Sequence, residues 1–94
     1  MKDYTVIFLD TAEDDLRAVA RYIAKDNEQA ALRWVNMLED QANSLGKFPE
    51  KGRPYKDDYR IKVVDRGYRI FYRVDHARET VVIVHFYTPK DPRF

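Results

Sequence analysis

The chain has 94 residues, enough for one domain with one modest core. Three glycines, four prolines and 14% aromatic residues describe a folded globule rather than a disordered or fibrous chain. A formal net charge of +1 and the lack of cysteine exclude a strongly polycationic binder, a disulfide framework and thiolate chemistry.

The two histidines, His76 and His85, are too few and too far apart to predict a zinc site, and no cofactor is expected. The opening MKDYTVIF meets a charged run almost at once, which is too short and polar for a signal peptide. No later run has membrane-spanning length, so a cytoplasmic protein is expected. Acidic residues gather in the first half (Glu13, Asp14, Asp15, Asp26, Glu28, Glu39, Asp40), whereas basic residues outnumber them from Lys47 onward. That asymmetry fits a helical half carrying a basic sheet half.

In chain order, Tyr4 to Leu9 (YTVIFL) reads as a strand, apolar on both faces. Thr11 is an N-cap candidate with Asp14 three residues on, and Glu13 to Asp15 load the first turn with negative charge. Ala12, Leu16, Val19, Ala20 and Ile23 follow at helical spacing. Asp26-Asn27 breaks the pattern and caps a second helix, with Ala31, Val35, Leu38, Ala42 and Leu45 as its stripe and Trp34 at the margin. Gly46 and Pro49 end it. So short a link makes an antiparallel helical hairpin, and its narrow stripes must pack on a sheet.

Residues 47–58 (KFPEKGRPYKDD) read as one long loop, in which Gly52 and Pro54 steer the chain and Arg53 adds a cation. Tyr59 to Val74 (YRIKVVDRGYRIFYRV) reads as two strands joined by a two-residue turn at Arg66-Gly67. That turn places Lys62 opposite Phe71 and Arg60 opposite Arg73. It gathers Ile61, Val63, Ile70, Tyr72 and Val74 on one face, and Arg60, Lys62, Arg69 and Arg73 around Phe71 on the other. Thr80 to Tyr87 (TVVIVHFY) is a valine-rich strand suited to a central position, and Thr88 to Phe94 is a proline-held tail. The expected fold class is α+β: strand, helix, helix, then three strands. The helical hairpin covers one face of a small, mainly antiparallel sheet, all in one domain over residues 1–94.

The basic face admits two readings. Arg60, Lys62, Arg69 and Arg73 can hold phosphates while Phe71 offers a ring for base stacking, or they are a solvated sheet face that discourages edge pairing. His85 and Tyr87 alternate on the last strand as an acid/base pair or as half-buried structural residues. The pattern does not fix which face they share with Arg69. Tyr22 and Trp34 edge the helical stripes, either as core-rim aromatics or as part of a groove for a partner helix. In the tail, Lys90 and Arg93 either fray with the terminus or join the cationic surface. No phosphate loop, nucleophile elbow, carboxylate pair or metal-spaced cluster is present.

The opening strand leading into DLRAVARYI, the second helix ending in LGKFPEKGRP, then YRIKVVDRGYRIFYRVD, the valine-rich strand and the basic DPR end form an ordered set. Together they resemble the RelE/ParE superfamily of bacterial type II toxin–antitoxin toxins, closer to the ParE branch. The resemblance implies the fold already expected and a cognate antitoxin, so a hetero-oligomer with it. A ParE-like toxin, of the plasmid-stabilisation kind, implies inhibition of DNA gyrase and growth arrest, with a target surface at Arg69, Phe71, Arg73, Lys90 and Arg93. Tyr22 and Trp34 would meet the antitoxin.

A RelE-like toxin instead implies a ribosome-dependent endoribonuclease that cuts mRNA. On that alignment Arg60 and Lys62 fall on catalytic basic positions and Arg69 on the catalytic arginine, with His85 or Tyr87 as the acid. The match weakens further on. Asp91 stands where an arginine is expected, and the printed sequence stops at Phe94, before the RelE tyrosine. A third alternative is a degenerate, non-toxic member acting as an interaction module.

Overall fold

The valine-rich segment Thr80–Tyr87 lies inside the sheet, as its two-sided apolar pattern requires. The computed structural model describes residues 3–89. In order they form β1 (Thr5–Phe8), α1 (Asp10–Ala24), α2 (Glu28–Ser44), β2 (Arg53–Lys56), β3 (Tyr59–Val63), β4 (Arg69–Asp75) and β5 (Thr80–Tyr87). The strands make one sheet in the order β1-β5-β4-β3-β2. β1 runs parallel to β5, and the other neighbours are antiparallel. Neither helix is long and apolar enough to cross a membrane.

Both helices pack on one face of the sheet. Leu16 and Val19 of α1 and Leu38, Ala42 and Leu45 at α2 meet Ile70, Tyr72 and Val74 of β4 and Val81, Ile83 and Phe86 of β5. Each fully buried large apolar side chain contributes roughly 1.5–3 kcal/mol relative to exposure. The expected α2 cap holds: Asn27 Oδ1 accepts the Ala30 N–H at 3.0 Å. The expected α1 cap does not. Thr11 lies inside α1, which starts at Asp10, and its hydroxyl donates to the Val84 carbonyl at 2.6 Å. Val84 is the extra residue of a bulge, between His85 opposite Phe71 and Ile83 opposite Tyr72. The carbonyl there takes the hydroxyl that would otherwise cap the helix.

Gly46 is needed for closeness rather than for a left-handed turn. A Cβ there would sit 2.6 Å from the Tyr4 carbonyl oxygen and 2.9 Å from Val6 Cγ2. The Gly46 carbonyl also accepts the Tyr4 N–H at 2.7 Å, tying the end of α2 to the start of β1.

Two expectations about the second half need correction. Residues 47–58 are not all loop, because Arg53–Lys56 pairs with β3 as an edge strand. All four of its residues are exposed and one is Pro54. It therefore carries no apolar alternation, and proline is tolerated only at such an edge. The turn between β3 and β4 is also longer than expected. Val64 N–H donates to the Tyr68 carbonyl at 2.8 Å around a three-residue loop, Asp65–Gly67. Arg66 and Gly67 take φ of 61° and 81° inside it.

One extra loop residue slips the register by one, which sends each side chain of β3 to the opposite face. Lys62 now pairs with Ile70 and Arg60 with Tyr72, on the helix side. Ile61 pairs with Phe71 on the open side, and Tyr59 with Arg73. Ile61, Val82 and Tyr87 are buried yet stand apart from the helix-side core, as this register demands.

Tyr72 ties the sheet to the connection after α2. It is wholly buried, its hydroxyl donates to the Pro49 carbonyl at 2.7 Å, and it accepts the Gly52 N–H at 2.9 Å. Burial raises its pKa above 10.0, against the lowering effect of the Gly52 bond. Tyr72→Phe leaves both backbone groups without that partner, and we expect a loss of about 1–3 kcal/mol, read as a lower urea midpoint at unchanged m. The raised pKa favours the protonated native hydroxyl. Its contribution is therefore complete below pH 10 and falls as pH rises through the native value. Alkaline titration of stability should thus be shallower in Tyr72→Phe than in the wild type.

Candidate functional site

The sheet face away from the helices carries the chemistry. Alternation along β4 sends Arg69, Phe71 and Arg73 to this face, while Ile70, Tyr72 and Val74 enter the core. Cross-strand pairing then sets Tyr87 beside Arg69 and His85 beside Phe71. Both β5 residues therefore share the open face with Arg69.

Phe71 is the centre of a ring cluster. Tyr59 stacks on it at 5.1 Å with 5° between the planes, and Tyr55 meets it edge-on at 5.7 Å. Tyr87 lies 6.2 Å away and stacks in turn on His85 at 5.2 Å. The cations have partners within the fold. The Arg69 guanidinium donates to the Thr88 carbonyl at 3.1 Å, and Arg73 lies 3.5 Å from the Asp58 carboxylate.

α1 reaches this face through Asp15. β1 pairs β5 only as far as Ile83, and beyond it α1 borders the strand. There Asp15 Oδ2 lies 2.8 Å from His85 Nδ1 and accepts the Phe86 N–H at 3.0 Å. An ionised carboxylate only accepts, so in this contact the imidazole donates from Nδ1. The side chains of Asp15 and His85 are 11% and 23% exposed, so the pair is sheltered but reachable.

Arg60 and Lys62 are not part of this constellation. The expectation that they surround Phe71 is overturned by the three-residue turn, which puts them on the helix side. Arg60 there donates to the Gly52 carbonyl at 2.6 Å and to that of Glu50 at 3.3 Å. Lys90 and Arg93, assigned from sequence to the cationic surface, lie outside the described residues.

Tyr22 and Trp34 sit on the helical side. Tyr22 is 70% exposed and borders a groove of about 530 Å³ with Ala18, Ile23, Tyr68, Phe86 and Pro89. Trp34 does not line that groove. It stacks on Tyr68 at 5.2 Å and carries the Arg66 guanidinium 5.3 Å from its ring centre, pinning the β3–β4 turn to α2. Burial, with Tyr22 nearby, raises the Tyr68 pKa, so its hydroxyl stays protonated at neutral pH.

Sequence reasoning does not reach Tyr55, Tyr59 or Asp15 as site residues. Tyr55 sits in a stretch with no strand signal, and Tyr59 changes side with the register. Asp15 reads as an ordinary first-turn acid. The one usable signal was Tyr55-x-x-x-Tyr59 next to a basic hairpin.

Comparison with known proteins agrees with this architecture. The family described as the ParE toxin of type II toxin–antitoxin system, parDE, matches residues 6–88. The candidate toxin Y4kP of Sinorhizobium fredii is 31% identical over 72 residues, covering 74% of this chain and 75% of that protein. The Mycobacterium tuberculosis toxin–antitoxin complex RelBE2 contains a chain that superposes with a TM-score of 0.69 at 26% identity, over 94% of this chain and 93% of its own. The chromosomal ParDE system of P. aeruginosa gives a TM-score of 0.76 at 20% identity, over 88% and 92%. The E. coli RelBE complex gives 0.51 at 19%, over 90% and 95%. By a family match that spans most of its length, this chain belongs to the ParE toxin family of type II toxin–antitoxin systems.

Proposed function

We propose that this ParE-family toxin inhibits DNA gyrase through its open sheet face and is held inactive by an antitoxin. The observation that carries this reading is the separation of Arg60 and Lys62 from Arg69 across the sheet. A nuclease built on those three groups would need them around one phosphate. Here Arg60 instead serves the carbonyls of Gly52 and Glu50. What remains on the open face is a binding surface of Arg69, Phe71 and Arg73, to which the sequence adds Lys90 and Arg93.

The antitoxin reading is supported by solved relatives of the same fold that are toxin–antitoxin complexes. The groove beside Tyr22 is apolar along Ala18, Val19, Ile23 and Phe86, which suits the apolar face of a partner helix. Trp34 supports that groove indirectly, by holding Tyr68 and Arg66, both of which line it.

One observation favours a second reading. Arg69, His85 and Tyr87 do share a face, and Asp15 orients His85. In an mRNA endonuclease, a 2′-OH would attack its own 3′ phosphate, Arg69 would stabilise the developing charge, and His85 or Tyr87 would protonate the leaving oxygen. The base would have to come from elsewhere than Arg60 or Lys62.

Purified toxin should block gyrase supercoiling, and a Phe71→Ala, Arg73→Ala double variant should need about tenfold more protein for the same effect. Supercoiling left untouched at high excess, in toxin that still arrests growth, overturns the gyrase reading. New mRNA 5′ ends on induction, lost with His85→Ala, would then favour the nuclease. No growth arrest at all would mark a non-toxic interaction module.

A cognate antitoxin should bind Tyr22→Ala at least about tenfold more weakly than wild type. Trp34→Ala should weaken binding through the displaced turn. Titration calorimetry checks both, and a Tyr22→Ala, Trp34→Ala double variant bound as tightly as wild type rules out the groove as the antitoxin site.

A further inference from the structure

We infer that the ring cluster Tyr55–Phe71–Tyr59 is a stacking platform for unpaired DNA bases. This deepens the reading above and rests on it for the identity of the strand, because DNA is what gyrase holds.

The three rings come from three neighbouring strands, β2, β3 and β4, and Tyr55 and Tyr59 each pack on Phe71. Both helices pack on the opposite face, so neither covers them. Tyr55 is 63% exposed, so its ring is open to a ligand. Tyr59 and Phe71 are half-buried and lie parallel, so their stack is held in place rather than free to turn. A flat, fixed and partly exposed π surface is what a nucleobase stacks on.

Cations flank the rings. Arg53 pairs with Ile61 in register, and so shares the open face next to Tyr55, and it is exposed. Arg73 pairs with Tyr59 across the strands. Its Asp58 contact, at 3.5 Å with 34% and 48% exposed side chains, is a surface ion pair of little worth. The guanidinium can exchange that carboxylate for a phosphate at small cost. Rings bordered by guanidinium groups match the alternation of base and phosphate along a single strand. An acidic peptide would use the cations but bring no planar group to the rings. Duplex DNA would offer phosphates, but its bases are stacked on each other and cannot lie on a sheet.

The test uses the full chain without gyrase and a labelled oligo-dT of about ten nucleotides, within the span of a single-strand site. Anisotropy should show binding that falls with salt, and a duplex of equal length should bind at least about tenfold more weakly. Tyr55→Ala should weaken oligo-dT binding about fivefold or more, while Tyr55→Phe retains it. Arg73→Gln should reduce the salt slope by about 0.7. Far-UV circular dichroism verifies the fold of each variant.

Equal affinity for duplex, equal or tighter binding of oligo-U, or an unchanged Tyr55→Ala overturns the platform. A supercoiling assay on the same samples separates the two readings. Gyrase inhibition without oligo-dT binding overturns the platform and leaves gyrase as target. Oligo-dT binding without gyrase inhibition supports the platform and overturns gyrase as target.

Discussion

The bond from the Val64 N–H to the Tyr68 carbonyl decides what each face of this sheet carries. It closes a three-residue turn, and the turn fixes which residues of β3 oppose which of β4. Backbone freedom makes the turn affordable at Gly67, whereas Arg66 holds a left-handed φ of 61° that costs a non-glycine residue on the order of 1 kcal/mol. The Trp34 and Tyr68 rings and the Arg66 guanidinium pack together at this point. That packing offsets the strain and anchors the turn on α2. The register is therefore held from both ends, by the turn and by Tyr72 clamped between Pro49 and Gly52.

A second constraint acts where β1 ends. A strand edge with no neighbour leaves N–H and carbonyl groups without partners. At β5 this occurs just past Ile83, the last residue facing β1, and α1 supplies the substitutes. Thr11 donates to the Val84 carbonyl and Asp15 accepts from the Phe86 N–H. The same carboxylate oxygen faces His85 Nδ1, so one side chain both closes the edge and orients an imidazole on the open face. The bulge at Val84 makes this geometry: it changes which β5 residues share a face with Phe71 and Arg73.

How much of this was legible in the sequence follows from the range of each signal. The helices, their link and the core set of β4 are periodic patterns within one segment, and they read correctly. β2 did not, because Arg53–Lys56 is exposed throughout and alternation appears only when one face is buried. The turn failed for a different reason. Asp-Arg-Gly is compatible with either two or three loop residues, and the choice is made by Trp34, a residue 32 positions before Arg66 that packs on the turn from α2. Arg69, Phe71, His85 and Tyr87 were legible as candidates because alternation singles them out. Their convergence was not, because it depends on the pairing of β4 with β5. Asp15 was hidden by the adequate local reason for an acid near a helix start.

A net charge of +1 conceals how the charges are distributed, and distribution is what an anionic partner feels at short range. The acids of the first half, such as Glu13, Asp14, Glu28 and Asp40, ride on helices packed against one side of the sheet. Arg53, Arg69 and Arg73 project on the other. At physiological salt the screening length is about 8 Å. That is less than the roughly 10 Å separating packed layers of secondary structure. Those four acids are thus largely screened from a ligand on the open face, whereas Asp15 reaches that face beside His85. The slip in register sharpens this face rather than weakening it. It moves Arg60 and Lys62 to the helix side but brings Tyr59 beside Phe71. The surface becomes less cationic and more aromatic, and so less fitted to phosphate chemistry and better fitted to recognition.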